Sequence, residues 1–372
     1  MKALTCQVMK EILPTRGRGW ASSPLFLVGN EARVLSKELV GRLNRLPLDG
    51  IVADLYACEG LSRLRGYPKP MYYVTDDGRL VYRLAAFPGG EEEYLRYLTE
   101  MRESSGFKVL PSLVAKDRES LLGLLRRLKE EGFGIVEVEV LPFNEGILGE
   151  LKFMDRDSLR EEIIVKLNLS TLLDKGTLLL NFLNKVGVNT LTLSNTLIGR
   201  LNLREHTIVK IFLSSNDALL FYSKLAHSLG FKVIISLNSL NAVDFQRSAA
   251  YSAGFQVQYP LLMGGCNVLR SLLEQVREGP SSPLPLRLPS LTRMNTVTID
   301  ESRCDGCGIC AEACPFSALK RVGSKVEVSD ERCTGCGLCV GLCPRKAIKG
   351  AVYLEVSDDE RQDRIGEEGY QS

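Results

Sequence analysis

Eight cysteines near the C-terminal end constrain this chain more than any other feature. Cys304, Cys307, Cys310 and Cys314 stand at C-x2-C-x2-C-x3-C with Pro315 next, and Cys333, Cys336, Cys339 and Cys343 repeat the spacing before Pro344. Thiolates three residues apart on a tight turn can hold three irons of one cubane, and the fourth cysteine of each run crosses to the other cluster. The spacing assigns Cys304, Cys307, Cys310 and Cys343 to one [4Fe–4S] cluster and Cys333, Cys336, Cys339 and Cys314 to the second. Gly306, Gly308, Gly335 and Gly337 let each loop fold tightly around sulfide. Each proline fixes φ where the chain leaves the cluster.

Zinc and disulfides are the alternatives for the same residues. Zinc sites favour paired C-x2-C separated by a longer gap, rather than four cysteines in one compressed run. Disulfides belong to secreted chains, and near-neighbour C-x2-C thiols make poor staples. The duplicated run resembles the bacterial two-cluster ferredoxin domain, over roughly residues 294–356.

At 372 residues the chain has room for one large and one small domain. A hydrophobic fraction of 45% with 25% charged residues is that of a soluble globular protein. The net charge of +2 gives no footprint for nucleic acid or a membrane surface. Residues 294–372 carry 10 Lys/Arg against 14 Asp/Glu, leaving the first 293 residues at +6. An acidic C-terminal part can dock on a basic face. No apolar run approaches the roughly 18 residues that span a bilayer, and the N-terminus has no secretory signal pattern, Lys10 and Glu11 interrupting it. The expected setting is cytoplasmic and reducing, with Cys6, Cys58 and Cys266 as bland free thiols.

Upstream of the cysteines, short apolar runs alternate with amphipathic segments. The runs predict strands at Leu25–Val28, Ile51–Leu55, Lys108–Leu113, Ile135–Leu141, Ile163–Asn168, Thr190–Ser194, Lys232–Leu237 and Phe255–Tyr259. The clearest helix is Arg118–Glu131, with Leu121, Leu124, Leu125 and Leu128 on one face and Gly132 as its stop. A last helix is expected over Asn267–Glu278. Strict alternation of eight strands with helices predicts a (β/α)8 TIM barrel over residues 1–278, in preference to a doubly wound open sheet. Residues 66–88 interrupt it on the active-site face and predict a hairpin cap. A stiff Pro-rich linker (279–293) then leads to a small α+β two-cluster ferredoxin domain (294–356), and the acidic tail 357–372 is expected to be disordered. His206 and His227 lie in no metal or triad context.

Several stretches of the barrel resemble the dihydroorotate dehydrogenase family of FMN barrels, including its dihydropyrimidine dehydrogenase branch, which carries the same ferredoxin module. Ile164-Val165-Lys166-Leu167 looks like the family's fifth strand, and Leu191 to Gly199, with Asn195-Thr196, looks like its sixth. Gly66–Pro70 and Ala250–Gly265 keep the outline of a family loop and of its eighth strand with the following turn. The resemblance implies FMN contacts from Lys166, Asn195, Thr196 and Asn144, a small organic substrate, and a protein redox partner reached through the clusters. It fails at the chemistry. Pro142 holds the position of the catalytic base, Val81 and Phe87 stand for the substrate-reading asparagines, and Ser236-Leu237-Asn238-Ser239 and Tyr259-Pro260 replace the glycines that cradle phosphate. Neither dihydroorotate nor pyrimidine turnover is expected.

Lys166 has two readings: a cation that polarises the flavin, or the partner of a lumenal carboxylate, Glu139, which needs no cofactor. Asn195 is either a ligand or a turn cap. Two functions stay open. In one, a flavin in the barrel exchanges hydride with a substrate while the clusters carry single electrons to or from the partner. In the other, a catalytically silent barrel is a docking scaffold for the ferredoxin domain in a larger redox complex. A third reading places a phosphorylated ligand on Gly264-Gly265 and the helix N-terminus at Asn267.

Overall fold

The structure is a computed structural model that describes residues 25–29, 40, 43–59, 61, 64, 72–74, 80–84, 86–142, 144–154, 162–202, 206–213, 216–278, 296–314, 318–330, 332–333, 339 and 343–349. The linker, the acidic tail, the basic turn at Arg16–Gly19, Cys6 and Cys336 lie outside these residues.

Sixteen strands and eight helices follow in chain order among the described residues. They run β1 Leu25–Val28, β2 Gly50–Ala57, β3 Tyr72–Val74, β4 Leu80–Arg83, α1 Glu91–Ser105, β5 Lys108–Val114, α2 Arg118–Glu130, β6 Val136–Val140, α3 Gly146–Leu151, β7 Ile163–Asn168 and α4 Leu169–Val186. Next come β8 Thr190–Ser194, β9 Thr196–Asn202, β10 His206–Phe212, α5 Asp217–Ser228, β11 Lys232–Leu237, α6 Ala242–Ala249, β12 Gly254–Val257 and α7 Tyr259–Glu278. The C-terminal part holds β13 Thr298–Ile299, α8 Ile309–Ala313, β14 Leu319–Val322, β15 Lys325–Val328 and β16 Ile348–Lys349.

Eight parallel strands close in the order β1-β12-β11-β8-β7-β6-β5-β2, the predicted barrel with each predicted strand in it. Alternation explains how it fills. On β6, Val136, Val138 and Val140 join the main core between strands and helices, while Glu137 and Glu139 turn inward. Leu25, Leu27, Val52, Leu110, Ile164 and Ile234 form a separate apolar cluster inside the barrel. Polar side chains follow them along the same strands toward the C-terminal ends. The helix predicted from Arg118 is α2, started by Asp117, whose carboxylate accepts from the Ser120 amide at 2.9 Å. It is stopped by Gly132 at φ +85°.

Two features differ from the sequence expectation. The cap is a four-stranded antiparallel sheet, β3-β4-β10-β9, made of the predicted hairpin in 66–88 and a second hairpin following β8. The last barrel helix begins at Tyr259 rather than Asn267, so Gly264, Gly265 and Asn267 are helix interior. Their amides are committed to the helix ladder and leave no helix N-terminus at Asn267 for a phosphate.

The seam that closes the barrel is tight. Gly254 pairs with Leu25, and a Cβ there would lie 2.7 Å from the Leu25 carbonyl oxygen, a backbone atom that cannot step aside. Gly254→Ala is expected to lose about 1–3 kcal/mol. Gly123→Ala, on α2 where an added Cβ meets nothing within 4 Å, should gain about 0.5–1 kcal/mol. Urea unfolding of both variants checks the contrast.

Candidate functional site

The barrel mouth carries a buried polar network that the register of its strands assembles. Lys166 stands beside Glu139 on β6 and Thr192 on β8, and Asn168 beside Ser194. The Glu137 carboxylate accepts from Thr192 Oγ1 at 2.8 Å, Gln256 Nε2 at 2.6 Å and Ser112 Oγ at 3.3 Å, with Lys166 Nζ 3.4 Å away. Glu139 accepts from Asn168 Nδ2 at 3.1 Å and is ion-paired with Lys210. The pairing therefore differs from the expected Glu139–Lys166 contact. Lys166 meets Glu137, and Glu139 meets a lysine of the cap. The ammonium of Lys210 descends from β10, and its residue is 0% exposed.

Each residue nominated for flavin is engaged within the protein. Asn144 Oδ1 accepts from the Leu141 amide at 2.6 Å, and its Nδ2 donates to the carbonyls of Ala115 and Glu139 at 3.0 and 3.2 Å. It braces the exit of β6. Asn195 Nδ2 donates to the Leu213 carbonyl and to Asn216 Oδ1, tying the β8 end to the far end of the cap hairpin. Thr196 Oγ1 donates to Asn168 Oδ1 at 2.6 Å and lies 3.1 Å from Ser194 Oγ. Exposure of Lys166, Asn195, Thr196 and Asn144 is 1, 0, 0 and 3%. A flavin needs side chains that offer it surface and free donors, and these offer neither. The residues present do not fit an FMN held as the family resemblance implies.

The flanking residues have structural roles. Phe87 packs on Tyr94 and Tyr97. Burial pushes the Tyr94 hydroxyl well above its ordinary range, and that hydroxyl bridges the Asp54 and Ser112 carbonyls. Cys58 is buried at the floor of an open groove of about 870 Å³ between the starts of α1 and α2. His227 is exposed on α5 beside Tyr251. The sequence places Glu137 in the lumen beside Glu139, but it does not single out Lys210, Asn168, Thr192 or Gln256 as members of the site. The signal for Lys210 is a lone charge inside the apolar run Ile208-Val209-Lys210-Ile211-Phe212, which a solvent-facing strand position does not explain.

The cysteine-rich segment folds with an internal two-fold repeat. The Asp300 amide donates to the Ala347 carbonyl at 2.7 Å, and the Ser329 amide to the Ala318 carbonyl at 2.7 Å. The amides of Cys304 and Cys333 donate to the carbonyls of Asp300 and Ser329, each at 3.0 Å. The Ala318 amide donates to Cys314 Sγ, and the Ala347 amide to Cys343 Sγ, each at 3.3 Å. Gly306 and Gly308 take φ of +67° and +79°, and a Cβ on Gly306 would strike the Ser324 carbonyl. Cys310 and Cys339 are buried in a small core with Val297, Leu319, Val326 and Ile348, and Cys304, Cys314, Cys333 and Cys343 pack against it. Burial pushes the Cys310 thiol up to about 11, and the neighbouring Cys343 and Cys307 thiols add to the shift. The last cysteine of the second run thus lies close to the first run.

Cys307 is exposed. Beside it Asp305 Oδ1 accepts from the Cys307 amide at 3.2 Å, and Asp305 Oδ2 lies 2.9 Å from Arg345 Nε. The Arg345 hydrogen bond holds the Asp305 carboxyl below its usual range. Among the described residues no three His, Cys, Asp or Glu side chains group as ligands of a single ion. A cubane asks for something else, because each of its thiolates takes its own iron.

No helix among the described residues is long and apolar enough to cross a membrane. No curated protein matches the chain. Among solved structures it is similar to DHODH from Eimeria tenella in complex with ferulenol, at 10% identity and TM-score 0.49 over 74% of this chain and 90% of that one. It is also similar to a truncated 3-deoxy-D-arabino-heptulosonate 7-phosphate synthase from Thermotoga maritima, at 11% identity and TM-score 0.40 over 68% and 86%. Likenesses this distant say nothing of activity, and the barrel rests on its own strand order. Residues 296–344 match the family model of a 4Fe-4S dicluster domain, which makes the C-terminal unit of this barrel protein a ferredoxin-type iron–sulfur domain.

Proposed function

We propose that the chain is an iron–sulfur electron-transfer protein whose oxidoreductase chemistry lies in its C-terminal domain. Cys304, Cys307, Cys310 and Cys343 hold one [4Fe–4S] cluster, and Cys333, Cys336, Cys339 and Cys314 hold the other. When bound, the clusters pass single electrons to or from a redox partner protein. The domain's own residues shape the loops, bury part of the ligand set and donate amides to two of the sulfurs. The barrel is the rigid body that presents this domain within a larger redox complex, in a cytoplasmic, reducing setting. The burial of Lys166, Asn195, Thr196 and Asn144 supports this over a flavin-bearing barrel.

Anaerobically purified protein is expected to carry about eight irons and eight sulfides per chain and to release no flavin on heating. A colourless or zinc-bearing protein would sink the cluster assignment. Stoichiometric FMN in the heated supernatant would instead restore the flavin reading of the barrel.

A further inference from the structure

The repeat inside the ferredoxin domain has a fixed offset of 29 residues, which carries Cys304 to Cys333, Cys314 to Cys343 and Ala318 to Ala347. Backbone pairing follows it, as does the sulfur bonding: one amide donor reaches Cys314 and its counterpart reaches Cys343, at the same 3.3 Å. These hydrogen bonds treat the two halves alike. Charge does not. Asp305 and Arg345 form an ion pair over the Cys307 loop, and by the same offset their counterparts are Thr334 and Phe316. A second exposed pair, Lys325–Glu301 at 2.5 Å, has Cys304 as an electrostatic neighbour, and by the strand pairing Thr296 and Asp330 stand in its place in the other half.

We propose that the Asp305–Arg345 pair sets the reduction potential of the cluster held by Cys304, Cys307, Cys310 and Cys343 and leaves the other cluster unaffected. The inference rests on the two-cluster reading above. Reduction adds one negative charge to a cluster, so a nearby cation raises its potential and a nearby carboxylate lowers it. Asp305 is the partner held on the Cys307 amide. Arg345 cancels its charge, and losing either member uncovers the other. Side-chain exposure of 63% for Arg345 and 42% for Asp305 means that water screens part of each charge. Arg345 is thus a tuning residue: it ligates nothing and changes how readily the iron accepts an electron.

Anaerobic redox titration followed by electron paramagnetic resonance tests this on the whole protein, with iron and sulfide measured on each variant. In Arg345→Gln one of the two midpoints should fall, with a threefold to tenfold loss in reduced-to-oxidised ratio at fixed potential, or about 30–60 mV. In Asp305→Asn, which keeps the amide contact, the same midpoint should rise, and Arg345→Lys should stay near wild type. Asp305→Asn carries the test if Arg345→Gln assembles poorly. The proposal is overturned if fully loaded variants shift neither midpoint, or move both equally. A wild type with no cubane signals removes the cluster reading itself, and this inference with it.

Discussion

Cys343→Ala should empty the cluster held by three cysteines that lie 33 to 39 residues earlier in the chain. Its iron content is expected to fall from about eight to about four per chain. The loss of half the iron does not by itself say which half, but a second substitution does. With crossed ligation Cys307 and Cys343 serve the same cubane, so Cys307→Ala with Cys343→Ala should lose no more iron than either alone. With each run closing on itself, the two changes empty separate clusters and the double variant retains almost none. This non-additivity is that of a double-mutant cycle between two positions that ligate one cluster. Cysteines of both runs share one small core, Cys310 and Cys339 buried in it and Cys304, Cys314, Cys333 and Cys343 packed against it, so the iron count of the double variant is what separates the two arrangements. The domain is also too small to tolerate the loss quietly. Among the described residues of 296–349 only a handful of aliphatic side chains are buried beside the cysteines, and units of this size usually need metal or disulfide staples. Proteolysis of Cys343→Ala should accordingly cut within this domain before it touches the barrel.

The barrel was legible because its strands are apolar runs of the right length between strong helix signals. Ile163–Asn168, Thr190–Ser194 and Lys232–Leu237 begin and end at the predicted residues. The β9–β10 hairpin was not. A single residue, Asn195, separates it from β8, so Thr196 to Gly199 read as a continuation of one strand rather than the start of another. That omission carried the site with it. With β10 unseen, Lys210 had no place in the mouth, and Glu139 was left to the nearest lysine on the neighbouring strand. Register puts Lys166 beside Glu139, yet a long side chain reaches diagonally, and its ammonium lies by Glu137, one inward position down the strand. The iron–sulfur domain was legible for the opposite reason: the spacing of its cysteines is local and needs no knowledge of what folds over them.

Lys210→Met should be the most damaging single change in the barrel, at about 3–5 kcal/mol. The side chain is fully buried, and its partner Glu139 is 1% exposed in the lumen. Removing the ammonium leaves a carboxylate in low dielectric, with the Asn168 amide as its described donor. The corresponding change at Lys166 should cost less, about 1–3 kcal/mol, because Glu137 keeps hydrogen bonds from Ser112, Thr192 and Gln256. The pair also latches the cap, since Lys210 belongs to β10, and β10 joins β4 to β9. Lys210→Met combined with Glu139→Gln removes both charges at once. It should recover most of the loss, giving a coupling of roughly 2 kcal/mol or more in urea unfolding of the barrel. Additive single-variant losses would show instead that the ammonium and the carboxylate do not depend on each other, and that something other than their charge holds the cap on the mouth.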